Sequence, residues 1–306
     1  MRAANEGTST PAAAGARRGG DPGSDLLPPG LGLTRRRRPM GAELTGLDLT
    51  APLEPGTVAA VRRAVLDRKV VVIPGQHLAP RDLVAFARSF GVLARAHPVL
   101  PGLPDHPEVF ALDLDAARQV LEQRWGARAG EDWMADLSFL PSPPLGTILS
   151  VESGPPEGSE LVFADTEAAY DGLSGPVRRL LDGLVAVHSA EPVFAPVRQQ
   201  FAEQLDALRP VRHPVVRTHP ETGRSGLFVN PTFTTGVEGM ADSETRGLLA
   251  MLYEHLTQPA YVVAFRLRPG DVVFWDNRST VYRIPPRDED HACLVHRVTL
   301  RGDRPF

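Results

Sequence analysis

The chain has 306 residues, 42% of them hydrophobic and 23% charged, which is enough apolar material for one large domain or two ordinary ones. A net charge of −4 argues against nucleic acid as the main partner, and no stretch reaches the run of about 18 apolar residues that would span a membrane. A single cysteine, Cys293, excludes an internal disulfide framework and fits a reducing, cytoplasmic compartment.

Residues 1–32 are rich in Gly, Ala, Pro and Ser without hydrophobic periodicity, which predicts a disordered tail ahead of a domain over 33–306. The basic run Arg35–Arg38 reads as a solvated lead into the first strand. Gly41–Thr50 alternates apolar and polar residues, as a strand with a turn does. Val58, Val61 and Val65 recur at helical spacing after Pro55-Gly56, and Val70–Ile73 is a buried strand ended by Pro74-Gly75. Pro80 opens a second helix with Leu83, Phe86 and Phe90 on one face. From Ala94 to Trp133 the pattern weakens, which predicts a long loop over a pocket.

Strands are predicted at Thr147–Val151 and Leu161–Ala164, and helices over 166–173, 176–185 and 195–207. His213–His219 and Gly226–Val229 flank a Glu-Thr-Gly turn and read as a hairpin. Residues 242–257 form an amphipathic helix with Leu248, Leu249, Leu252 and Leu256 inward. Strands follow at Tyr261–Arg266, Val272–Trp275, Thr280–Arg283 and Cys293–Leu300. Strand pairs split by helices, with β structure closing the chain, predict one α+β domain on a jelly-roll core with flanking helices.

Several motifs in this order carry a specific likeness. They include Gly41-Ala-Glu-Leu-Thr-Gly-Leu-Asp-Leu49, Asp132-Trp133…Asp136-Leu-Ser-Phe139, Leu227-Phe-Val-Asn230, Trp275-Asp-Asn-Arg278 and His296-Arg297. Together they resemble the taurine dioxygenase (TauD/TfdA) family. The resemblance implies a double-stranded β-helix, Fe(II)- and 2-oxoglutarate-dependent oxygenation, and a homo-oligomer. Members of that family hold iron with His-x-Asp and a distant His, and the matching positions here are Met134, Asp136 and Tyr282. The family's cosubstrate-binding Thr and Arg correspond to Leu161 and Cys293.

These substitutions lead to an expectation of no metal and no cosubstrate. The leading reading is a metal-independent enzyme performing lyase, isomerase, dehydration or pericyclic chemistry on a specialised metabolite. A non-catalytic small-molecule-binding or accessory protein is one alternative. The other is an active Fe(II)/2-oxoglutarate dioxygenase with an unconventional metal site, drawing on His97 with Asp136. Asp136, Tyr282 and His97 are the catalytic candidates, as acid or base and hydrogen-bond donor. Arg297, Asn230, Met134, Trp133 and Phe233 are the candidates for holding a small molecule with an acidic or enolate group. Without a metal, Asp136 must be hydrogen-bonded, ion-paired or protonated. His213, His219, His296 and Cys293 read as scaffold.

Overall fold

Val70–Ile73 carries apolar side chains on both faces because it lies between two packed layers. Val71 and Ile73 meet two helices, α1 (Pro55–Arg68) and α2 (Pro80–Arg88), while Val70 and Val72 face a second sheet. This is a computed structural model, and it describes residues 27–36, 40–114, 116–117, 133–285 and 292–306. The tail expected over 1–32 lies, up to residue 26, outside the described residues, as do Arg37 and Arg38.

The first strands are β1 (Gly32–Arg35), β2 (Ala42–Thr45), β3 (Val70–Ile73), β4 (Phe110–Asp113), β5 (Gly146–Ser153), β6 (Ser159–Asp165) and β7 (Val185–His188). There follow β8 (Val211–Pro214), β9 (Val216–Thr218), β10 (Ser225–Leu227), β11 (Thr234–Val237), β12 (Val262–Leu267), β13 (Val272–Asp276), β14 (Thr280–Arg283) and β15 (Leu294–Leu300). One sheet runs β1-β2-β3-β13-β5-β15-β4 and another β12-β6-β14. The core between them includes Leu149, Phe163, Phe265, Val273, Trp275 and Val295. A smaller sheet, β11-β7-β8, and the β9–β10 hairpin pack near the helix Asp242–Leu256, whose Leu248, Leu249, Leu252 and Leu256 are buried as its periodicity predicts.

Several expectations change, and the predicted strand His213–His219 divides into β8, which pairs with β7, and β9, which pairs with β10. The weakly patterned stretch after Ala94 contains β4, which exists because it pairs with β15 in the register Arg297↔Phe110 to Leu294↔Asp113. The helix expected over 195–207 is present only as a short 3₁₀ turn at Ala195–Val197 and a helix at Ala202–Ala207, with a further helical turn at Glu191–Phe194 ahead of it. The interruption falls at residues 198–201, which form turns between the 3₁₀ segment and the second helix. The helix expected over 176–185 stops at Leu181, and Gly183, at φ 71°, turns the chain into β7. No described helix is long and apolar enough to cross a membrane.

Candidate functional site

Alternation along β15 sends Val295 and Arg297 toward the inter-sheet core and His296 to the opposite face, where its Nδ1 lies 3.5 Å from Glu152. Thr147 of β5 and Trp275 of β13 are cross-strand partners at the same end of the large sheet. From the facing sheet, β14 contributes Tyr282. Met134 pairs with Tyr282 across an isolated bridge, with both backbone hydrogen bonds at 2.8 Å. That bridge delivers Asp136 between the sheets, where it is 4% exposed.

Both oxygens of Asp136 are engaged. Oδ1 accepts from the Tyr282 hydroxyl at 2.9 Å and from Arg297 Nη1 at 3.0 Å, and Oδ2 accepts from Thr147 Oγ1 at 2.6 Å. Asp136 is thus both hydrogen-bonded and ion-paired. Behind Thr147 the bonds have a fixed direction. The Trp275 indole can only donate, and it gives its proton to Asn277 Oδ1 at 2.7 Å. Asn277 Nδ2 then donates to Thr147 Oγ1 at 2.7 Å, so the one hydroxyl hydrogen of Thr147 must go to Asp136. Burial and the neighbouring Asp136 charge push the Tyr282 phenol well above its usual range, so it stays a donor.

In front of this cluster is a chamber of about 340 Å³ whose walls include Leu100, Phe110, Val193, Phe194, Phe233 and Ile284. Its polar groups include His97, Asp136, Tyr282 and Arg297. Arg297 stacks over Phe110 at 5.2 Å, and its Nε and Nη2 are buried without a partner. His97 packs among Phe110, Phe139 and Phe194. Its Nδ1 accepts from the backbone N–H groups of Val99 and Leu100, both at 3.1 Å, which places the proton of the neutral ring on Nε2. Burial, and secondly the charge of Arg297, lower its pKa to about 3, so it is neutral at pH 7.

The structure therefore brings together His97, Met134, Asp136, Phe233, Tyr282 and Arg297. It separates Asn230 and Trp133 from them. Asn230 spends its amide inside the protein, donating to Ser138 Oγ at 3.0 Å and accepting from Phe233 N at 2.9 Å. Trp133 is buried in the core around helix Asp242–Leu256, with Arg283 over its ring at 5.6 Å. His213 and His219 are structural: His213 Nε2 bonds the carbonyls of Ser138 and Leu140, and His219 Nε2 bonds Asp276 at 3.1 Å. Leu161 and Cys293 lie in the inter-sheet core, each 1% exposed. Thr147 and Asn277 were missed as site residues, although Asn277 sits in the quoted Trp275–Arg278 motif.

The side chains that the resemblance matches to the family's iron ligands differ in chemistry from a facial two-histidine, one-carboxylate set. Met134 offers a thioether, Tyr282 a phenol held in its protonated form, and Asp136 already accepts three hydrogen bonds. Among the described residues no three His, Cys, Asp or Glu side chains gather in a metal-holding group.

The family model described as taurine catabolism dioxygenase TauD, TfdA family, matches residues 30–283. An α-ketoglutarate-dependent sulfate ester dioxygenase from Pseudomonas putida is 33% identical, covering 87% of this chain and 88% of that protein. An α-ketoglutarate-dependent 2,4-dichlorophenoxyacetate dioxygenase from Cupriavidus pinatubonensis is 34% identical, covering 86% of this chain and 94% of the other. A taurine dioxygenase structure from Burkholderia xenovorans is 33% identical with a TM-score of 0.77, covering 91% of this chain and 93% of its own. A fourth match, AAD-2 in complex with Mn(II) and N-oxalylglycine, is 28% identical with a TM-score of 0.71 over 90% of this chain and 98% of its own.

These findings correct the leading expectation. Relatives spanning most of the chain are dioxygenases that use α-ketoglutarate (2-oxoglutarate), and one structural match holds a divalent metal with N-oxalylglycine. A metal-independent, non-oxidative enzyme is therefore overturned, and with it the expectation of neither Fe(II) nor 2-oxoglutarate. That expectation rested on the residues matched to the iron ligands and on Leu161 and Cys293 at the cosubstrate positions, and the likeness that overturns it runs through most of the chain.

Proposed function

The chain belongs to the taurine catabolism dioxygenase (TauD/TfdA) family, and on that premise we propose that it is a 2-oxoglutarate-dependent dioxygenase of unconventional site. Its substrate is a small, mainly apolar molecule with one acidic group, the class that includes sulfate esters and phenoxyacetates. The two facing sheets are read as that family's double-stranded β-helix. A single observation carries the substrate class: a largely apolar chamber, whose polar lining is His97, Asp113, Asp136, Thr232, Tyr282 and Arg297, contains in that arginine two buried nitrogens without a partner. A buried donor without a partner costs about 1–3 kcal/mol, and a carboxylate or sulfate oxygen removes that cost on binding.

In this reading Arg297 grips the acid, and the bond from its Nη1 to Asp136 fixes the guanidinium plane. His97, neutral and protonated at Nε2, supplies a further donor. Phe110, Phe194 and Phe233 cover the apolar body and exclude water. Of the positions matched to the family's iron ligands, Asp136 keeps the family's residue, and Met134 and Tyr282 depart from it.

The test is an anaerobic titration with Fe(II) and 2-oxoglutarate, then a succinate assay with octyl sulfate and 2,4-dichlorophenoxyacetate. Substrate-dependent succinate is expected. Its absence with every acid offered, together with no heat from 2-oxoglutarate, refutes the proposal. The three hydrogen bonds accepted by Asp136 favour a second reading, ligand binding without turnover, which predicts heat from the acids alone and no succinate.

A further inference from the structure

We propose that anionic ligands enter the chamber from an outer cleft whose mouth carries Arg95 and Arg301. The cleft, about 770 Å³, runs along Leu93–Gly102 and includes Glu108, Phe201 and Arg301. His97 and Leu100 line it on one side and the chamber on the other. Leu137 stands in the same relation to an adjoining cavity of about 330 Å³, which also holds Arg95 and Arg301. His97, Leu100 and Leu137 are thus shared between the chamber and the spaces that hold the two arginines.

Charge gives this entrance its selectivity. Arg95 and Arg301 are exposed, and neither has an ion pair or side-chain hydrogen bond among the described residues. The acidic side chain on the same cleft, Glu108, is paired with Arg88 at 2.9 Å. Two positive charges therefore stay uncompensated on a chain of net charge −4. Such a patch raises the local concentration of anions and speeds their association.

The wall has a fixed part and a movable part. The His97 ring is pinned through Nδ1 by two backbone N–H groups. Leu100 has no polar side-chain anchor, and a rotamer change there joins the two spaces. The inference rests on the acid-binding chamber proposed above, though not on any oxygenation.

Stopped-flow mixing of the full chain with anilinonaphthalene sulfonate, and with uncharged phenyl-naphthylamine, reads entry as fluorescence. Arg95→Glu/Arg301→Glu should lower the sulfonate association rate about tenfold at low salt, with the gap closing above about 0.15 M salt. The uncharged probe should enter that variant at the wild-type rate, which separates lost steering from misfolding. Leu100→Trp should slow both probes. Equal sulfonate association rates in wild type and the double variant overturn the proposal, as does wild-type entry in Leu100→Trp. Arg297→Met should raise the sulfonate dissociation rate alone, and an unchanged rate there strikes at the acid-binding role of Arg297 instead.

Discussion

Removing Arg297 tests the energetic centre of the site. Its Nη1 stands 3.0 Å from Asp136 Oδ1, and the two side chains are 8% and 3% exposed. Breaking a buried ion pair by deleting one partner costs about 3–5 kcal/mol. Two features lower that figure for Arg297→Met. Asp136 keeps its bonds from Thr147 and Tyr282, and two partnerless guanidinium nitrogens disappear, each a burden of about 1 kcal/mol or more. The expected loss is therefore about 2 kcal/mol. Asp136→Asn strands the guanidinium without its counter-charge and should lose about 3 kcal/mol. In the double variant both charges leave together, and the loss should fall short of the sum of the singles by about 2 kcal/mol. Urea unfolding at neutral pH, with the denaturant slope checked for constancy, gives all three values. Additivity to within about 0.5 kcal/mol would refute the reasoning and leave Arg297 held only by packing on Phe110.

Acid should destabilise the fold through its buried neutral histidines. Burial lowers His97 and His188 to about 3, helped by the charge of Arg297 at the first and of His213 at the second. An unfolded imidazole takes up its proton near about pH 6.5, so below that the unfolded state binds more protons, and stability is lost as pH falls from about 6.5 toward 3. The urea midpoint should decline from about pH 7.5 to about pH 4.5, and His188→Phe should flatten the slope; a level midpoint in the wild type contradicts this. Lys69 is buried with Nζ 3.0 Å from Asp165 and 2.8 Å from Glu167, so Lys69→Met leaves Asp165 without its counter-charge and Glu167 with only Arg224 at 3.6 Å, and should cost about 3 kcal/mol in the same assay. Leu252 is fully buried on the helix Asp242–Leu256, and Leu252→Ala should cost about 2–5 kcal/mol, whereas a loss below about 1 kcal/mol would mean the helix packs loosely.

Elements whose own residues determine them were legible in the sequence. Val70–Ile73, the helix Asp242–Leu256 and β13 announce themselves by apolar runs or helical spacing, and the structure places them accordingly. The strand β4 was not legible, because Phe110–Asp113 is held by pairing with β15 nearly two hundred positions away. The site divides the same way. Motif resemblance brought Asp136, Tyr282 and Arg297 to attention, but nothing local shows that they converge on a single carboxylate oxygen. Asn230 looked like a pocket residue from its motif alone, and its amide is instead used up by Ser138 and the Phe233 backbone. Thr147 carries no signal at all, since its role comes from contacts with Asp136 and Asn277 on other parts of the fold.

The one-way run of hydrogen bonds behind Asp136 decides where protons can travel. It ends at the Trp275 indole, 1% exposed, which has no lone pair to receive a proton from beyond. Asn277 neither gains nor loses a proton at ordinary pH. The route through β5 and β13 is therefore an insulator, and traffic between Asp136 and bulk water has to cross the chamber, past Tyr282 and Arg297. A ligand that fills the chamber closes that remaining path.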